Sequence, residues 1–152
     1  MANSKLARFM RPEMKAEKII DVVIKDKDGN DMPIKMRRLS QKRIADLREI
    51  YRSEEPAYDK KGNPIVQNGK LVMREKFDMN AYSHMLLVES LVEPDLNDEE
   101  LMDFFGVVDV CDMPGAVFTP SEISQISDYA GDLVAFRDVE DIKPEEVEEA
   151  KN

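Results

Sequence analysis

Tryptophan is absent from this chain of 152 residues, and cysteine and histidine occur once each, as Cys111 and His84. A single cysteine excludes an intrachain disulfide, and one histidine beside it leaves too few ligands for a Cys- and His-rich zinc site. His84 has no marked partner for a nucleophilic triad, so we interpret it as a surface or core-edge side chain. Cys111 falls in an apolar, acidic segment; such surroundings raise the pKa of a thiol and favour a structural role.

Recognisable patterns of catalytic and metal-binding residues are also missing. No glycine-rich phosphate loop occurs, and the run of acids at residues 98–100 is typical of a solvated helix start. Counted from Asp26 as the first ligand of a calcium loop, Gly29 stands fourth instead of sixth, and Arg37 occupies the twelfth place, where a bidentate acid is needed. We therefore predict a protein that is not an enzyme and that needs neither a cofactor nor a metal.

Long apolar runs are lacking as well. The longest, such as Met85–Val88, fall far short of the roughly 20 residues of a membrane-spanning helix. The first ten residues are too polar for the core of a signal peptide. These features predict a soluble protein of the cytoplasm with no membrane partner.

Positive charge is scarce in the second half of the chain. Residues 1–76 contain 19 Lys and Arg against 12 Asp and Glu, a net charge of +7, whereas residues 77–152 contain 3 against 20, a net charge of -17. The total of -10 and the lack of a long basic block exclude a general nucleic-acid binder, because phosphate binding depends on clustered cations. The acidity is therefore polarised along the sequence.

The apolar content, 42% of the residues, is sufficient for one packed core. Two β-type runs, Ile19–Ile24 and Met32–Met36, flank a turn segment with an Asp-Gly step, which supplies the positive φ of a hairpin turn. A second, exposed hairpin is predicted over residues 64–73 on an Asn-Gly turn, inside an inserted segment of residues 56–73.

Start and stop signals predict four helices. Ser40 is the expected N-cap of a helix over residues 41–52, and Asp78 or Asn80 that of a central core helix over residues up to 93. A capping box at Asn97 opens a short helix that stops at Gly106, and a second capping box at Thr119 opens a last helix that closes at Gly131. Residues 107–118 between these two helices predict an apolar loop.

These elements predict an α+β fold in which one or two N-terminal β-hairpins pack on a small bundle of three to four α-helices. Residues 1–16 form an N-terminal arm or short helix, residues 17–136 a single domain, and residues 137–152 an acidic tail that we expect to be mobile. Edge strands leave self-association open.

Methionine and phenylalanine are concentrated between residues 101 and 118. Methionine adapts to different partners and aromatic side chains anchor interfaces, so this region is the candidate partner-binding surface. Core packing of the same side chains is the alternative, and aromatic stripes pack more often than they bind. The candidate residues are Leu101, Met102, Phe104, Phe105, Met113 and Phe118.

Several segments, taken in order, resemble the XkdN-like phage tail assembly chaperones. The most specific is the acidic Val92–Leu101 stretch with its Val-Glu-Pro-Asp-Leu start, followed by Phe105-Gly106-Val107. The resemblance covers roughly residues 17–131. Its other segments are Asp28-Gly29-Asn30, Ile34–Ser40, Leu47-Arg48, Pro120-Ser121-Glu122 and Gly131.

The resemblance implies a non-enzymatic protein of a phage or prophage, made in the bacterial host cytoplasm. Such a chaperone is expected to bind the tape measure protein, to keep it soluble while the tail tube polymerises around it, and to leave before the virion matures. The tail tube protein is a second expected partner. Alternatives are a small structural tail-completion or connector protein that stays in the particle, and a host regulatory adaptor with an acidic tail.

Overall fold

The first β-hairpin provides the longest strand pairing of the main sheet. In a computed structural model, which describes residues 4–15 and 17–137, β1 (Ile19–Lys25) pairs antiparallel with β2 (Asp31–Arg37) over seven residue pairs. The connecting turn has Gly29 at φ +80, and the Asp26 carboxylate accepts hydrogen bonds from the backbone N–H groups of Asp28 (2.8 Å) and Asn30 (3.0 Å). The predicted hairpin is confirmed, and the acid of the apparent calcium loop serves to hold the turn.

A third strand completes this sheet where the sequence predicted a helix end. The central helix α3 (Met79–Ser90) stops three residues early, and β7 (Leu91–Glu93) pairs antiparallel with β2, giving the order β1-β2-β7. The prediction of helix up to residue 93 was therefore wrong. Backbone pairing with Lys35 and Met36 decides the conformation of these three residues.

Side-chain caps start the helices at the predicted places in three of four cases. Ser40 Oγ accepts from Arg43 N (3.0 Å) at the start of α2 (Gln41–Ile50), and Asp78 caps α3. Thr119 and Glu122 form the reciprocal capping box of α6 (Pro120–Val134), with distances of 3.3 and 2.7 Å. In α4 (Glu99–Phe105) the cap is Asp98, one residue after the predicted Asn97.

Three helix boundaries differ from the sequence-based prediction. Helix α2 ends at Ile50, not near Arg52, because Arg52 already begins a strand. The segment predicted as a loop contains a 3-10 turn (Val110–Asp112) and a short helix, α5 (Met113–Val117), which tolerates Pro114 in its first turn. Helix α6 continues through Gly131 to Val134, which places Leu133 in the core.

The second hairpin is part of a longer projection, here called the β arm (residues 52–77). Strands β3 (Arg52–Pro56) and β6 (Met73–Phe77) form its base, and β4 (Val66–Gln67) and β5 (Lys70–Leu71) its tip. The tip turn has positive φ at both Asn68 and Gly69, as the Asn-Gly step predicts. Among the described residues, the arm does not extend the first sheet.

One face of the three-stranded sheet packs on the helices to form the core. Alternate residues of β1 and β2 are buried, as an antiparallel sheet with one solvated face requires. The fold is α+β, as predicted. The buried core residues are Ile20, Val22, Ile24, Ile34, Met36, Leu87, Val88, Leu91, Leu96, Met113, Phe118, Ile126 and Leu133.

The N-terminal segment is helical and exposed. It contains α1 (Ser4–Ala7) and a 3-10 turn (Pro12–Met14), and it meets the domain where Arg38 Nη1 donates to the Glu13 carbonyl (3.2 Å). Of the mobile acidic tail predicted over residues 137–152, residues 138–152 lie outside the described residues.

Candidate functional site

The exposed aromatic side chains lie at the C-terminal end of α4. Phe104 is 80% exposed and Phe105 38%, and their rings meet edge to face with centroids 4.9 Å apart. A T-shaped pair is a favourable aromatic geometry, so the two rings hold each other in place. Together with Val108, these two residues are here called the aromatic surface.

Val108, the third residue of this surface, follows a turn at Gly106. Gly106 adopts φ +66, and the following N–H, that of Val107, donates to the Met102 carbonyl (3.0 Å), which closes the helix end. Val107 thereby packs against the core while Val108 points outward and is 96% exposed. We did not select Val108 from the sequence. Its position two residues after Gly106, the glycine that ends α4, could have indicated that it lies in an exposed turn.

The predicted partner-binding residues divide into three groups. Phe104 and Phe105 are at the surface, whereas Leu101 and Met102 are partly buried and pack against the core. Met113 and Phe118 are buried, with 0% and 6% exposure. Met113 begins α5 and Phe118 follows its last residue, and both side chains belong to the core cluster, as the core-packing alternative expects. The partner-binding role of the six residues stays a prediction.

The surroundings of the aromatic surface are strongly acidic. Between Phe77 and Phe136 the chain has 13 Asp and Glu and no Lys or Arg. Asp103 precedes the aromatic pair, and Asp109 and Asp112 follow Val108. The aromatic surface is thus an apolar patch within an acidic stretch of the chain, and a partner with cationic side chains beside an apolar face complements it.

Cys111 lies in a small polar cluster next to this region. The Tyr51 hydroxyl is 3.5 Å from Cys111 Sγ, and His84 Nδ1 is 3.0 Å from the Cys111 carbonyl. Burial raises the pKa of the Cys111 thiol, and the hydrogen bond with Cys111, followed by burial, raises the pKa of Tyr51 to about 12. Both groups are therefore neutral at physiological pH, and the half-buried thiol is a poor nucleophile.

Neither a metal centre nor a membrane span is found in the described part of the chain. Within residues 4–15 and 17–137, no three His, Cys, Asp or Glu side chains are grouped to hold a metal ion. No helix in those ranges has the length and apolar character to cross a bilayer.

A second apolar feature, which sequence reasoning missed, is a groove between α2, α3 and α6, here called the helical groove. Its cavity measures about 370 Å³, and its lining includes no charged side chain. Tyr82 and Leu86 of α3, Ala130 and Gly131 of α6, and Leu39 are among the residues that line it. Ser127, Ala130 and Gly131 lie on one face of α6, and these small residues at helical spacing could have indicated the groove from the sequence.

Comparisons with known proteins concern almost the whole chain. The family model described as "Phage XkdN-like tail assembly chaperone protein, TAC" matches residues 6–151. The crystal structure of the protein YqbN is similar to this one with a TM-score of 0.57 and 16% sequence identity, covering 90% of this chain and 98% of that chain. At that identity the likeness shows a shared fold alone. A search of curated proteins finds no match.

Proposed function

This chain belongs to the XkdN-like phage tail assembly chaperone family, and on that premise we propose that it binds the tape measure protein and keeps it soluble in the bacterial host cytoplasm. Binding lasts while the tail tube polymerises, and the chaperone is absent from the mature virion. The single observation that carries the proposal is the aromatic surface, where Phe104 and Val108 are 80% and 96% exposed in a chain that has a well-packed core elsewhere.

Exposed aromatic side chains support a binding role because the fold gains nothing from their position. Folding stability derives from burial, and Phe104 is one of the most exposed large apolar side chains in the described residues. Clustered apolar exposure of this kind marks interaction sites. Leu101 and Met102 of the same helix are partly buried, and a methionine side chain can adapt its conformation to a partner.

The charge around the aromatic surface supports a particular kind of client segment. A tape measure protein is a long filament, and an amphipathic helix with apolar residues at helical spacing and flanking lysines or arginines fits an acidic apolar patch. The excess of carboxylates also keeps a complex soluble through like-charge repulsion. Binding of such a helix is expected to weaken as salt screens the charges.

Co-expression tests the proposal. The tape measure protein of the same phage or prophage is produced with and without this chain, and its soluble fraction and co-purification are measured. We expect the tape measure to be soluble and to co-purify only when the chaperone is present. A tape measure that is equally soluble alone, and that does not co-purify, would refute the proposal.

Mass spectrometry of purified particles addresses the alternative of a structural tail-completion or connector protein. The chaperone is expected to be absent from mature virions while it is abundant in lysates of infected or induced cells. A stoichiometric presence in particles would favour the structural role.

A further inference from the structure

The N-terminal segment (residues 4–15) has an apolar face that its own domain does not cover. Phe9 N donates to the Leu6 carbonyl (2.9 Å) and Met10 N to the Ala7 carbonyl (3.2 Å), so the helical turn of α1 continues to Met10. Leu6, Phe9 and Met10 are therefore neighbours on one helical face, and they are 55%, 69% and 62% exposed. Large apolar side chains that are grouped on an exposed face are typical of an interaction surface.

The N-terminal segment is also basic. Its four cations stand against a single acid, Glu13, which gives a net charge of +3; the cations are Lys5, Arg8, Arg11 and Lys15. The segment thus combines apolar residues at helical spacing with neighbouring arginines. This is the same chemistry that we expect of a client helix on the aromatic surface, and every copy of the chain contains it.

The aromatic surface has the opposite charge. Residues 98–112, which include Phe104, Phe105 and Val108, contain six Asp and Glu and no Lys or Arg, a net charge of -6. Among the described residues, no ion pair involves any of these six acids. A basic apolar segment therefore gains both apolar burial and charge complementarity there. The helical groove offers such a segment apolar burial alone, because its lining includes no charged side chain.

Within one chain, the N-terminal segment and the aromatic surface lie against different elements. Arg11 and Met14 line a cavity with Val134 at the end of α6, and the Glu13 carbonyl accepts a hydrogen bond from Arg38 Nη1. The aromatic surface lies at the end of α4, which packs on α5. A segment that occupies the aromatic surface is therefore supplied by a second copy of the chain.

We propose that the N-terminal segment of a second copy of this chain binds the aromatic surface, with its apolar face on Phe104 and Val108 and with Arg8 and Arg11 beside the acids of residues 98–112. Every copy has both halves of this contact, so one chain can give a segment and receive another. The contact itself requires no client. Its consequence, which rests on the proposed function, is that self-association covers the client-binding surface until a tape measure segment displaces the second copy.

Sedimentation equilibrium of the full chain, without a client, tests the contact. We expect an average mass that rises above that of one chain as the protein concentration increases, and that falls when salt screens the charges. Leu6→Asp/Phe9→Asp should weaken the association about 30-fold. Val66→Asp/Leu71→Asp introduces the same charges at similarly exposed positions of the β arm and should associate as the unsubstituted chain does. An unsubstituted chain that stays monomeric at every concentration would overturn the proposal.

A mixture of two defective chains identifies the two halves of the contact. The Leu6→Asp/Phe9→Asp chain keeps its aromatic surface, and a Phe104→Asp/Val108→Asp chain keeps its N-terminal segment. Each is expected to be monomeric alone, whereas the mixture should form a one-to-one complex. A mixture that stays monomeric would overturn the proposal. Normal association of either variant alone would overturn it too, because it would show a contact between two N-terminal segments or between two aromatic surfaces.

Client binding separates this proposal from the proposed function. The Leu6→Asp/Phe9→Asp chain should bind the tape measure protein at least as tightly as the unsubstituted chain, because no second copy competes for the aromatic surface. Weaker binding would overturn the competition and would show that the N-terminal segment contacts the client. Self-association without any binding of the tape measure would refute the proposed function alone. Client binding by an unsubstituted chain that is always monomeric would refute the contact between copies alone.

Discussion

The Arg38 guanidinium stacks on the Phe136 ring at 3.7 Å and joins three segments that are distant in sequence. Its Nε bonds to the Leu133 carbonyl, and its Nη1 bonds to the Glu13 carbonyl. The end of β2 is thereby connected both to the last turn of α6 and to the N-terminal segment. The planar guanidinium suits this task because it can stack and donate two directed hydrogen bonds at the same time.

Replacing Arg38 with methionine should loosen the end of α6 and the N-terminal segment together. The variant loses the stacking and both hydrogen bonds, so we expect the free energy of unfolding to fall by about 1–2 kcal/mol. Amide exchange at residues 133–137 should accelerate. Arg38→Lys retains the charge without the planar group and should recover less than half of the loss; full recovery would show that charge alone matters.

Met113 and Phe104 should respond in opposite ways to truncation, although both were candidate binding residues. Met113→Ala removes a fully buried side chain and should lower the free energy of unfolding by about 2–5 kcal/mol. Phe104→Ala removes an exposed one and should change it by less than about 0.5 kcal/mol. Urea denaturation measures both. Similar losses for the two variants would contradict the assignment of one residue to the core and the other to the surface.

The capping box at the start of α6 should contribute measurably to stability. Thr119→Ala removes the hydroxyl acceptor for Glu122 N and keeps only the other half of the capping box, in which Thr119 N donates to Glu122 Oε1, so we expect a loss of about 1 kcal/mol in urea denaturation. Thr119→Ser keeps the hydroxyl and serves as the control. An alanine variant as stable as the serine variant would argue against a stabilising cap.

Tyr51 gives a pH-dependent prediction. The hydrogen bond with Cys111 and burial raise its pKa to about 12, above the ordinary value of about 10 in the unfolded chain. The folded state thus keeps the phenol proton to higher pH, and its contribution to stability, complete below pH 10, is lost as the pH rises towards 12. Tyr51→Phe should remove this loss and delete a tyrosinate absorbance step near pH 12. Deletion of a step near pH 10 would contradict the prediction.

The elements that the sequence predicts well are those set by neighbouring residues. The caps at Ser40 and Thr119 act on backbone groups three residues away, so the local sequence contains the whole interaction. The hydrogen bonds of a turn are equally local. The turn of the first hairpin recurs at residues 59–63, in the sequence Asp59-Lys60-Lys61-Gly62-Asn63. There Asp59 Oδ1 accepts hydrogen bonds from Lys61 N and Asn63 N, both at 2.9 Å. That repeated pattern could have revealed the long β arm.

The elements that the sequence predicts poorly are those set by distant contacts. The three residues Leu91–Glu93 are too few to show a periodicity, and their pairing with β2 makes them a strand. A glycine such as Gly131 usually ends a helix, but burial of Leu133 beyond it offsets a helix penalty of about 1 kcal/mol. For the candidate site, spacing within a five-residue helix cannot show that Met113 faces the core.

The most direct test of the central claim compares binding of the tape measure protein by two double variants. Phe104→Ala/Phe105→Ala removes the aromatic surface, and Val66→Ala/Leu71→Ala removes exposed apolar side chains of the β arm as a matched control. We expect the first to weaken binding about 30-fold, since a hot-spot aromatic contributes about 2 kcal/mol, and to return the co-expressed tape measure to the insoluble fraction. The control should bind normally. Unchanged binding by a folded Phe104→Ala/Phe105→Ala chain would contradict the account.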